Sequence, residues 1–371
     1  MNQPAILDSE PAGTAGETHD MVRQSVTTAL GRLYSFDQRA TARKSPTGES
    51  AEAWGAFADL GLFGLGLAEE LGGFGSGLTD LAMVAELFGG ALVLEPYRPN
   101  MVAARLIARA GSDEQRDHWL PRIVGGDIRA AVAFGHADSP SSTIVASPDG
   151  SGWRLNGRVT IVAGGDTADL FVVPADVGDD VGLFLVAAQS VTRRSYRCFD
   201  WTGAADLDLA DVRIDVDARL EGGTAALAAA LDEDAALGCA DALGAIRAAN
   251  RLVREHTGNR RQFGRTLDSF QVLQHRMVDM AIEEELAASL TRAAIAACES
   301  APTERACAVS IAKVRVGDAA RFVGEQCVQM HGGMGLVQEY PASHLFARLG
   351  QFELRHGDRD HHLRRYATLT L

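Results

Sequence analysis

Apolar residues recur every three or four positions through the first third of the chain. This spacing is typical of amphipathic helices. A Ser-Asp-Glu sequence that begins at Ser112 has the character of a helix N-cap, and Gly125, Gly126 and Asp127 end the helix that follows it. The pattern predicts an all-helical N-terminal domain over residues 19–129, with helices near residues 21–34, 53–62, 78–88, 101–110 and 112–124.

From Ile128 onward the helical spacing gives way to short segments that are either apolar throughout or alternate between apolar and polar residues. Turn sequences separate the runs, among them Asn156-Gly157, and such dipeptides favour tight hairpin turns. The pattern predicts a small β-barrel or sandwich domain over residues 130–222, with strands near residues 130–134, 142–146, 152–155, 160–163, 170–173 and 181–187.

Helical spacing of alanine and leucine returns after residue 222 and continues to the end of the chain. Residues 225–255, 270–299, 303–331 and a terminal set from residue 342 predict a four-helix bundle over residues 223–371. The predicted fold class is therefore α+β, with a helical domain, a β domain and a helical bundle in that order. Residues 1–18 are polar and carry Gly, Pro and Ser, so we expect a mobile tail.

The amino-acid composition excludes several classes of function for this chain. The chain has 371 residues, 46% of them hydrophobic, and a net charge of −14, which argues against nucleic-acid binding through a general basic surface. Five cysteines without a Cys-x-x-Cys pair predict neither a metal site nor a disulfide framework, and fit reduced thiols in the cytoplasm. The acidic N-terminus lacks an apolar signal region, and no apolar run is long enough to span a membrane.

The stretch 260–280, RRQFGRTLDSFQVLQHRMVDM, combines a basic pair, a Phe-Gly turn and the start of an amide-bearing helix. Arg260 and Arg261 beside a helix start suit an anionic ligand such as a diphosphate. On spacing alone, a helix-turn-helix corner with solvated arginines explains the same residues.

This stretch resembles the acyl-CoA dehydrogenase signature R-x-x-F-G-x-x-L-x-x-F-Q-x-x-Q-H-x-x-A-D-M, with Val278 in place of the alanine. Residues 329–335, QMHGGMG, followed by Glu339-Tyr340-Pro341, resemble the family's other C-terminal signature. The resemblance covers roughly residues 20–371 and implies the acyl-CoA dehydrogenase fold. It also implies an FAD cofactor, held by Arg260, Phe263, Gln271, Gln329, Gly332 and Gly333, often at a subunit contact. Helix-end packing is the alternative explanation of the two glycines.

The residues around the flavin ring depart from the family pattern. The loop that usually wraps the flavin corresponds to residues 134–142, where only polar character and a proline remain. Ile161 stands at a tryptophan position, and Ala163 replaces the hydroxyl residue that bonds flavin N5. We therefore expect this chain by itself to hold the isoalloxazine ring weakly, and Thr160 to be a strand residue.

The family removes the α-proton of an acyl-CoA with a carboxylate while a hydride passes from Cβ to flavin N5. The usual glutamate position falls at His356, whose neutral imidazole could act as a base near pH 7. The alternative is a solvated polar segment. Some relatives place the base on the first bundle helix, at the position of Asp234, seven residues before Asp241 on the same helix face. The alternative there is an exposed aspartate at a helix start.

The resemblance thus predicts an acyl-CoA dehydrogenase subunit that acts on an acyl-CoA thioester and passes electrons to an electron-transfer flavoprotein or similar acceptor. Its helical ending is most similar to small subunits of heterotetrameric members, which act on pimeloyl-type or steroid side-chain CoA esters, although a homotetramer stays open. One alternative is a catalytically degenerate partner that completes the FAD site of a paired chain. Another is a flavin oxidase or monooxygenase of the same fold.

Overall fold

The computed structural model describes residues 13–134 and 144–371, in which helices precede and follow a β-sheet domain. The fold class predicted from the sequence is confirmed. Helix α1 begins at Gly13, inside the segment predicted as a tail, and residues 1–12 lie outside the described part. The N-terminal helices are α1 Gly13–Leu33, α2 Phe36–Ala42, α3 Ala51–Asp59, α4 Leu78–Ala91, α5 Tyr97–Ala110 and α6 Asp113–Val124.

Two further N-terminal helices, α2 and α5, differ from the prediction. Helix α2 was missed because it is one short stretch, fixed at its start by a reciprocal hydrogen-bond pair between Ser35 and Gln38. Helix α5 begins before the predicted residue 101, since Pro99 lies in the first turn, where a helix needs no N–H donor. This early start places Arg98 in the first turn of α5, where its side chain is 10% exposed.

The middle of the chain forms one connected sheet with the strand order β6-β7-β3-β2-β4-β5-β8, and β1 pairs with β4 in parallel. Two predicted strands are a single strand, β3, so the turn predicted at Asn156-Gly157 is wrong, because both residues lie inside the strand and pair with β2. The register of β3 is irregular between Leu155 and Gly157 and again between Val159 and Val162. Strands β6 and β7 were missed because β6 is charged and mostly exposed, and β7 carries small residues and aspartates. The strands are β1 Ala130–Val132, β2 Ile144–Asp149, β3 Gly152–Ala163, β4 Leu170–Val177, β5 Asp180–Ala187, β6 Thr192–Arg197, β7 Gly203–Ile214 and β8 Arg219–Leu220.

The C-terminal domain is helical, as predicted. Its longest element, α7, has 37 residues and packs against α4 through glycines. A Cβ built on Gly244 would overlap the Glu86 carbonyl oxygen, and one on Gly89 would overlap the Asp241 carbonyl oxygen. The absence of side chains therefore lets the two helices approach closely. The helices are α7 Gly223–Asn259, α8 Gln271–Ala297, α9 Pro302–His331, α10 Pro341–Leu354 and α11 Arg359–Thr370.

No helix among residues 13–134 and 144–371 is both long enough and apolar enough to cross a membrane. In the same described ranges, no three His, Cys, Asp or Glu side chains are grouped so that they could hold a metal ion. All five cysteines are free thiols.

Candidate functional site

The arginine-rich stretch forms a small hairpin between α7 and α8. Strand β9 Arg261–Gln262 pairs antiparallel with β10 Arg265–Thr266. The turn residues Phe263 and Gly264 have φ of 54° and 82°, which is the backbone of a type I′ turn. Phe263 is 90% exposed although its conformation is costly for a residue with a side chain. The predicted Phe-Gly turn is therefore present, at the tip of an exposed hairpin.

The second motif forms the end of α9. Gly332 has φ 60° and ψ −138°, a conformation that essentially only glycine adopts. Gly333 has no positive φ, and a Cβ on either glycine would meet no described atom within 4 Å. Backbone geometry thus explains Gly332, but neither geometry nor packing within the described chain explains Gly333. This corner is open to a group from outside.

The two motifs adjoin at one end of the bundle. The ring of His256, one turn before Arg260, stacks on His331 with 4.5 Å between centroids, and His331 directly precedes Gly332. The Nδ1 atom of His331 donates to the Cys327 carbonyl at 2.7 Å, which fixes the ring. All six residues predicted to bind the cofactor are exposed, and we call them the motif face: Arg260, Phe263, Gln271, Gln329, Gly332 and Gly333.

Three consecutive acids inside α7 are buried, with at most 2% of each residue exposed. Successive helix residues point about 100° apart, so the three carboxylates face three different sides. The alternative prediction that Asp234 is an exposed helix-start residue is wrong. The ion pairs are Asp232 with Arg305 and Arg365, Glu233 with Arg105 and Arg109, and Asp234 with Arg98 and His356.

The two candidate bases are in contact. His356 Nε2 lies 2.8 Å from Asp234 Oδ2, and Arg98 Nη1 donates to Asp234 Oδ1. His356 adopts a left-handed conformation with φ 57°, and its carbonyl accepts a hydrogen bond from His362 Nε2 at 2.9 Å. Because only 15% of the His356 side chain is exposed, the alternative of a solvated segment is wrong for His356 itself, whereas residues 358–360 of that segment are exposed. Two positions considered separately in the sequence thus form one pair.

The charge states of this pair follow from its surroundings. Burial alone would raise the pKa of Asp234, but Arg98 and then His356 hold it well below its ordinary value. Burial lowers the pKa of His356, although Asp234 acts in the opposite direction. At neutral pH the pair is therefore a carboxylate beside a neutral imidazole.

A second arginine joins all three parts of the molecule. Arg348 on α10 donates to Asp241 of α7 at 2.8 and 2.7 Å and to Asp200, in the turn between β6 and β7, at 3.0 Å. It also donates to the carbonyl of Val93, after α4, at 3.2 Å. We call Arg348, Asp200 and Asp241 the arginine clamp. Arg348 and Asp200 are buried and Asp241 is partly buried, so the clamp fixes the N-terminal, β and C-terminal domains relative to one another.

Between these domains lies a cleft that adjoins the Asp234–His356 pair. Ala163 contributes a methyl group to its wall, where the family pattern has a hydroxyl, and Ile161, at the irregular part of β3, is 57% exposed. Residues 135–143, which contain most of the loop expected to wrap the flavin, lie outside the described residues. The cleft is lined by Glu49, residues 93–99, Ala163, Gly164, Asp166, Thr202, Gly203, Asp241, Arg348 and Arg355, among others.

Arg98, Arg348 and Arg355 line the cleft, but no sequence motif marked them. Arg348 lies among apolar residues of an amphipathic helix, and a charge at such a position needs a buried partner. The position of Arg348 in the sequence could therefore have indicated a buried ion pair. Asp200 lies in a turn, where an aspartate is ordinary, so no local signal marked it.

Two family models match the chain. The acyl-CoA dehydrogenase N-terminal domain matches residues 16–127, and the acyl-CoA dehydrogenase C-terminal domain matches residues 221–368. The chain belongs to the acyl-CoA dehydrogenase family. Members of this family are FAD-dependent flavoprotein oxidoreductases of lipid metabolism, and the chain is accordingly an acyl-CoA dehydrogenase-type oxidoreductase.

Curated relatives and solved structures agree with this assignment. Acyl-CoA dehydrogenase FadE27 of Mycobacterium tuberculosis is 31% identical over 325 residues, covering 85% of this chain and 86% of that protein. A variant of the Tcur3481-Tcur3483 steroid ACAD has a TM-score of 0.89 at 29% identity, covering 96% of this chain and 98% of its own. The ChsE4-ChsE5 complex of M. tuberculosis has a TM-score of 0.89 at 27% identity, covering 95% and 96%.

The described residues of this acyl-CoA dehydrogenase chain offer different surroundings to the two halves of an FAD molecule. The motif face offers a guanidinium group and a corner without Cβ atoms, which fit the phosphate-bearing half. Where the family pattern places the flavin ring, the side chain of Ala163 has no hydrogen-bond donor and that of Ile161 has no aromatic ring. The described residues therefore fit the nucleotide half better than the isoalloxazine half.

Glu49, at the rim of the cleft, makes stability depend on pH. It accepts a hydrogen bond from Thr167 Oγ1 at 2.9 Å and lies 3.2 Å from Arg129 Nη2. Burial raises its pKa from 4.5 to about 7, despite Arg129. The folded state then holds this proton more tightly than the unfolded chain, so the stability that it contributes is lost as pH rises through about 7.

We expect Glu49→Gln to remove this dependence. Relative to the variant, the wild type should lose about 2 kcal/mol of unfolding free energy between about pH 5.5 and about pH 8. Urea denaturation across this range measures the difference. The control is Glu52→Gln, since Glu52 is exposed on α3. Equal pH dependence of the wild type and both variants contradicts the prediction.

Proposed function

We propose that this chain is a subunit of an FAD-dependent acyl-CoA dehydrogenase that desaturates an acyl-CoA thioester between Cα and Cβ. Its motif face holds the nucleotide half of FAD at a contact with a homologous, unlike chain. The observation that carries this proposal is the motif face itself, in which an arginine, two amides and an open glycine corner lie exposed at one end of the bundle.

Exposed apolar side chains beside the motif face support a subunit contact there. Val272, Val278 and Ile282 on α8 are 62%, 56% and 51% exposed, and Leu336, after the glycine corner, is 71% exposed. Val278 and Ile282 are one turn apart on the same face of α8, and Val272 lies within about 120° of both around the helix. Grouped apolar exposure of this kind marks protein–protein interfaces.

Two observations favour an unlike partner. One is the set of residues at the positions that contact the flavin ring in the family, and the other is the pair of similar solved structures. A chain without the hydroxyl at Ala163 and the aromatic ring at Ile161 gains from a partner that supplies those contacts. This chain resembles the structures of ChsE4-ChsE5 and Tcur3481-Tcur3483, and each of these carries the names of two different chains. Because the second is named a steroid ACAD, a steroid side-chain CoA ester is the substrate class to test first.

Each group of this chain then has a definite task. Arg260 offsets the diphosphate charge, Gln271 and Gln329 offer amides to the adenosine side, and Gly332 and Gly333 let backbone approach. FAD, when bound, supplies the acceptor for the β-hydride, and an electron-transfer flavoprotein or similar protein takes the electrons onward. The arginine clamp keeps the domains closed around the cleft, so that water is excluded during proton transfer.

A second candidate function is a non-catalytic partner whose only task is to complete the FAD site. One observation favours it: both carboxylate oxygens of Asp234 are engaged, by Arg98 and His356. In that case the partner chain supplies the base.

The first test is flavin content. We expect the chain expressed alone to hold little FAD, and the chain co-expressed with its homologous partner to hold one FAD for each unlike pair. Arg260→Gln should weaken FAD binding by about 10- to 100-fold, because it removes a charge-assisted hydrogen bond. FAD released on denaturation and equilibrium titration of the apoprotein measure these effects.

Arg261→Gln is the matched control, since Arg261 is the exposed neighbour of Arg260 and bonds the Gly264 carbonyl of its own hairpin at 3.3 Å. It should change FAD affinity less than about threefold. One FAD per chain without any partner contradicts the shared site. Wild-type affinity in Arg260→Gln contradicts the role of the motif face.

A further inference from the structure

We propose that His256 is a further binding residue of the motif face, which contacts the diphosphate of a dinucleotide together with Arg260 and takes up a proton as this ligand binds. The inference rests on the proposed binding of the nucleotide half of FAD at the motif face. It adds to that site a residue outside both sequence motifs and a dependence of the affinity on pH.

The ring of His256 lies between the two parts of the motif face. Arg260 follows it by one turn of α7, and the Arg260 N–H donates to the His256 carbonyl at 2.9 Å. The ring also stacks on His331, with 4.5 Å between centroids and 36° between planes, and Gly332 comes directly after His331. A ligand that reaches from Arg260 to the glycine corner therefore passes His256, which is partly exposed.

The stack holds the imidazole of His256 in place. His331 is buried, with 6% of the residue exposed, and its Nδ1 atom donates to the Cys327 carbonyl at 2.7 Å. The ring of His331 is thus a fixed support for that of His256. Among residues 13–134 and 144–371, no group forms a hydrogen bond with the ring nitrogens of His256, which are therefore free to bond a ligand.

The two basic side chains, Arg260 and His256, have no carboxylate partner within the described part of the chain. The whole chain carries a net charge of −14, so two such groups one turn apart are a local exception to its acidic character. A diphosphate linkage carries two negative charges. One guanidinium and one imidazolium offset both of them and donate charge-assisted hydrogen bonds to the phosphate oxygens.

The charge state of His256 depends on the ligand. Burial lowers the pKa of His256, and His331 and then Arg260 act in the same direction. These two groups face the ring, Arg260 from α7 and His331 from α9, while Tyr340, before α10, contacts His331 at 5.2 Å between centroids. The imidazole is therefore neutral at pH 7 in the free chain. A phosphate beside the ring reverses this balance, because an opposite charge nearby raises the pKa of a histidine by about 1–3 pH units.

The direction of the pH dependence follows from this coupling. The complex holds the proton more tightly than the free chain, so the affinity for FAD is highest below the pKa that His256 has in the complex. The affinity falls as pH rises through that pKa. For the uptake of a single proton, the dissociation constant changes by at most about tenfold per pH unit.

The test is a calorimetric titration of FAD into the apo form of the complex with the homologous partner, in two buffers of different ionisation enthalpy. The wild type should bind FAD about 3- to 30-fold more tightly at about pH 6 than at about pH 8, and take up a proton. His256→Gln should lose both effects because glutamine cannot be charged. His256→Lys, which stays charged, should bind more tightly than His256→Gln at about pH 8. ADP-ribose, which has the diphosphate but no flavin ring, should show the wild-type pH dependence of FAD.

His118→Gln is the matched control, because His118 is an exposed histidine on α6. It should leave the pH dependence and the proton uptake unchanged, and equal changes in the His118 and His256 variants overturn the inference. A loss of affinity in His256→Gln that is the same at every pH, with proton uptake as in the wild type, shows that His256 only packs there and also overturns it. A wild-type complex that binds neither FAD nor ADP-ribose refutes the proposed function itself, and this inference with it.

Discussion

We expect the Arg348→Leu protein to lose about 3–5 kcal/mol of unfolding free energy, because the substitution removes the arginine that pairs with the partly buried Asp241 and the nearer of the two arginines beside the buried Asp200, the other being Arg355 at 3.9 Å. Both carboxylates accept hydrogen bonds from Arg348 at 2.7–3.0 Å. Urea denaturation followed by far-UV circular dichroism measures the effect as a shift of the midpoint. Since the clamp joins three domains, we also expect the variant to unfold in more than one step.

The control for this prediction is Arg321→Leu. Arg321 also pairs with a carboxylate, that of Glu353, but 54% of its side chain is exposed. Exposed pairs contribute at most about 1 kcal/mol. Adding Asp241→Asn to Arg348→Leu should restore part of the loss, because it removes one uncompensated charge. Equal stability of the Arg348 and Arg321 variants would show that the clamp does not hold the domains together.

The second large effect is expected at the crossing of α4 and α7. Gly244→Ala should lower the unfolding free energy by about 3 kcal/mol, because the new Cβ overlaps the Glu86 carbonyl oxygen and the helices must separate. Separation also displaces Asp241 and Asp234 from their partners, so activity should fall more than stability alone explains. Thermal unfolding and acyl-CoA turnover of the co-expressed complex measure the two effects.

Gly238→Ala is the matched control on the same helix. A Cβ at Gly238 lies at an ordinary 3.6 Å from the Phe352 ring. Alanine also has a helix propensity higher than that of glycine by about 1 kcal/mol, so this variant should be as stable as the wild type or more stable. A stability loss in Gly238→Ala as large as that in Gly244→Ala contradicts the close-packing explanation.

Much of the fold was predictable because its signals are local. The helical spacing of apolar residues predicted the ends of most helices to within a few residues. The Phe263-Gly264 turn was also predictable from the sequence. Elements with a weak hydrophobic signal were missed: α2 is short and held mainly by its cap, and β6 is charged. Strand β3 was divided in two because Asn156-Gly157 is a common turn sequence, although both residues lie within the strand.

The chemistry of the cleft was only partly predictable. Asp234 and His356 were each proposed from the spacing of family landmarks, but spacing does not show that two distant segments meet. The left-handed backbone of His356 and the early start of α5, which brings Arg98 to Asp234, depend on tertiary packing. The motif face was predictable residue by residue, because its groups lie next to recognisable turns and helix ends.

The three adjacent acids of α7 also constrain how this protein can change over time. Substituting one of the three acids removes the ion pairs of that residue alone. Inserting or deleting a residue upstream within α7 rotates all three side chains by about 100° and disrupts the ion pairs of all three at once. Related proteins should therefore differ in length around this helix only in the loops before and after it. A homologue with an indel inside the helix should also lack the acidic triplet.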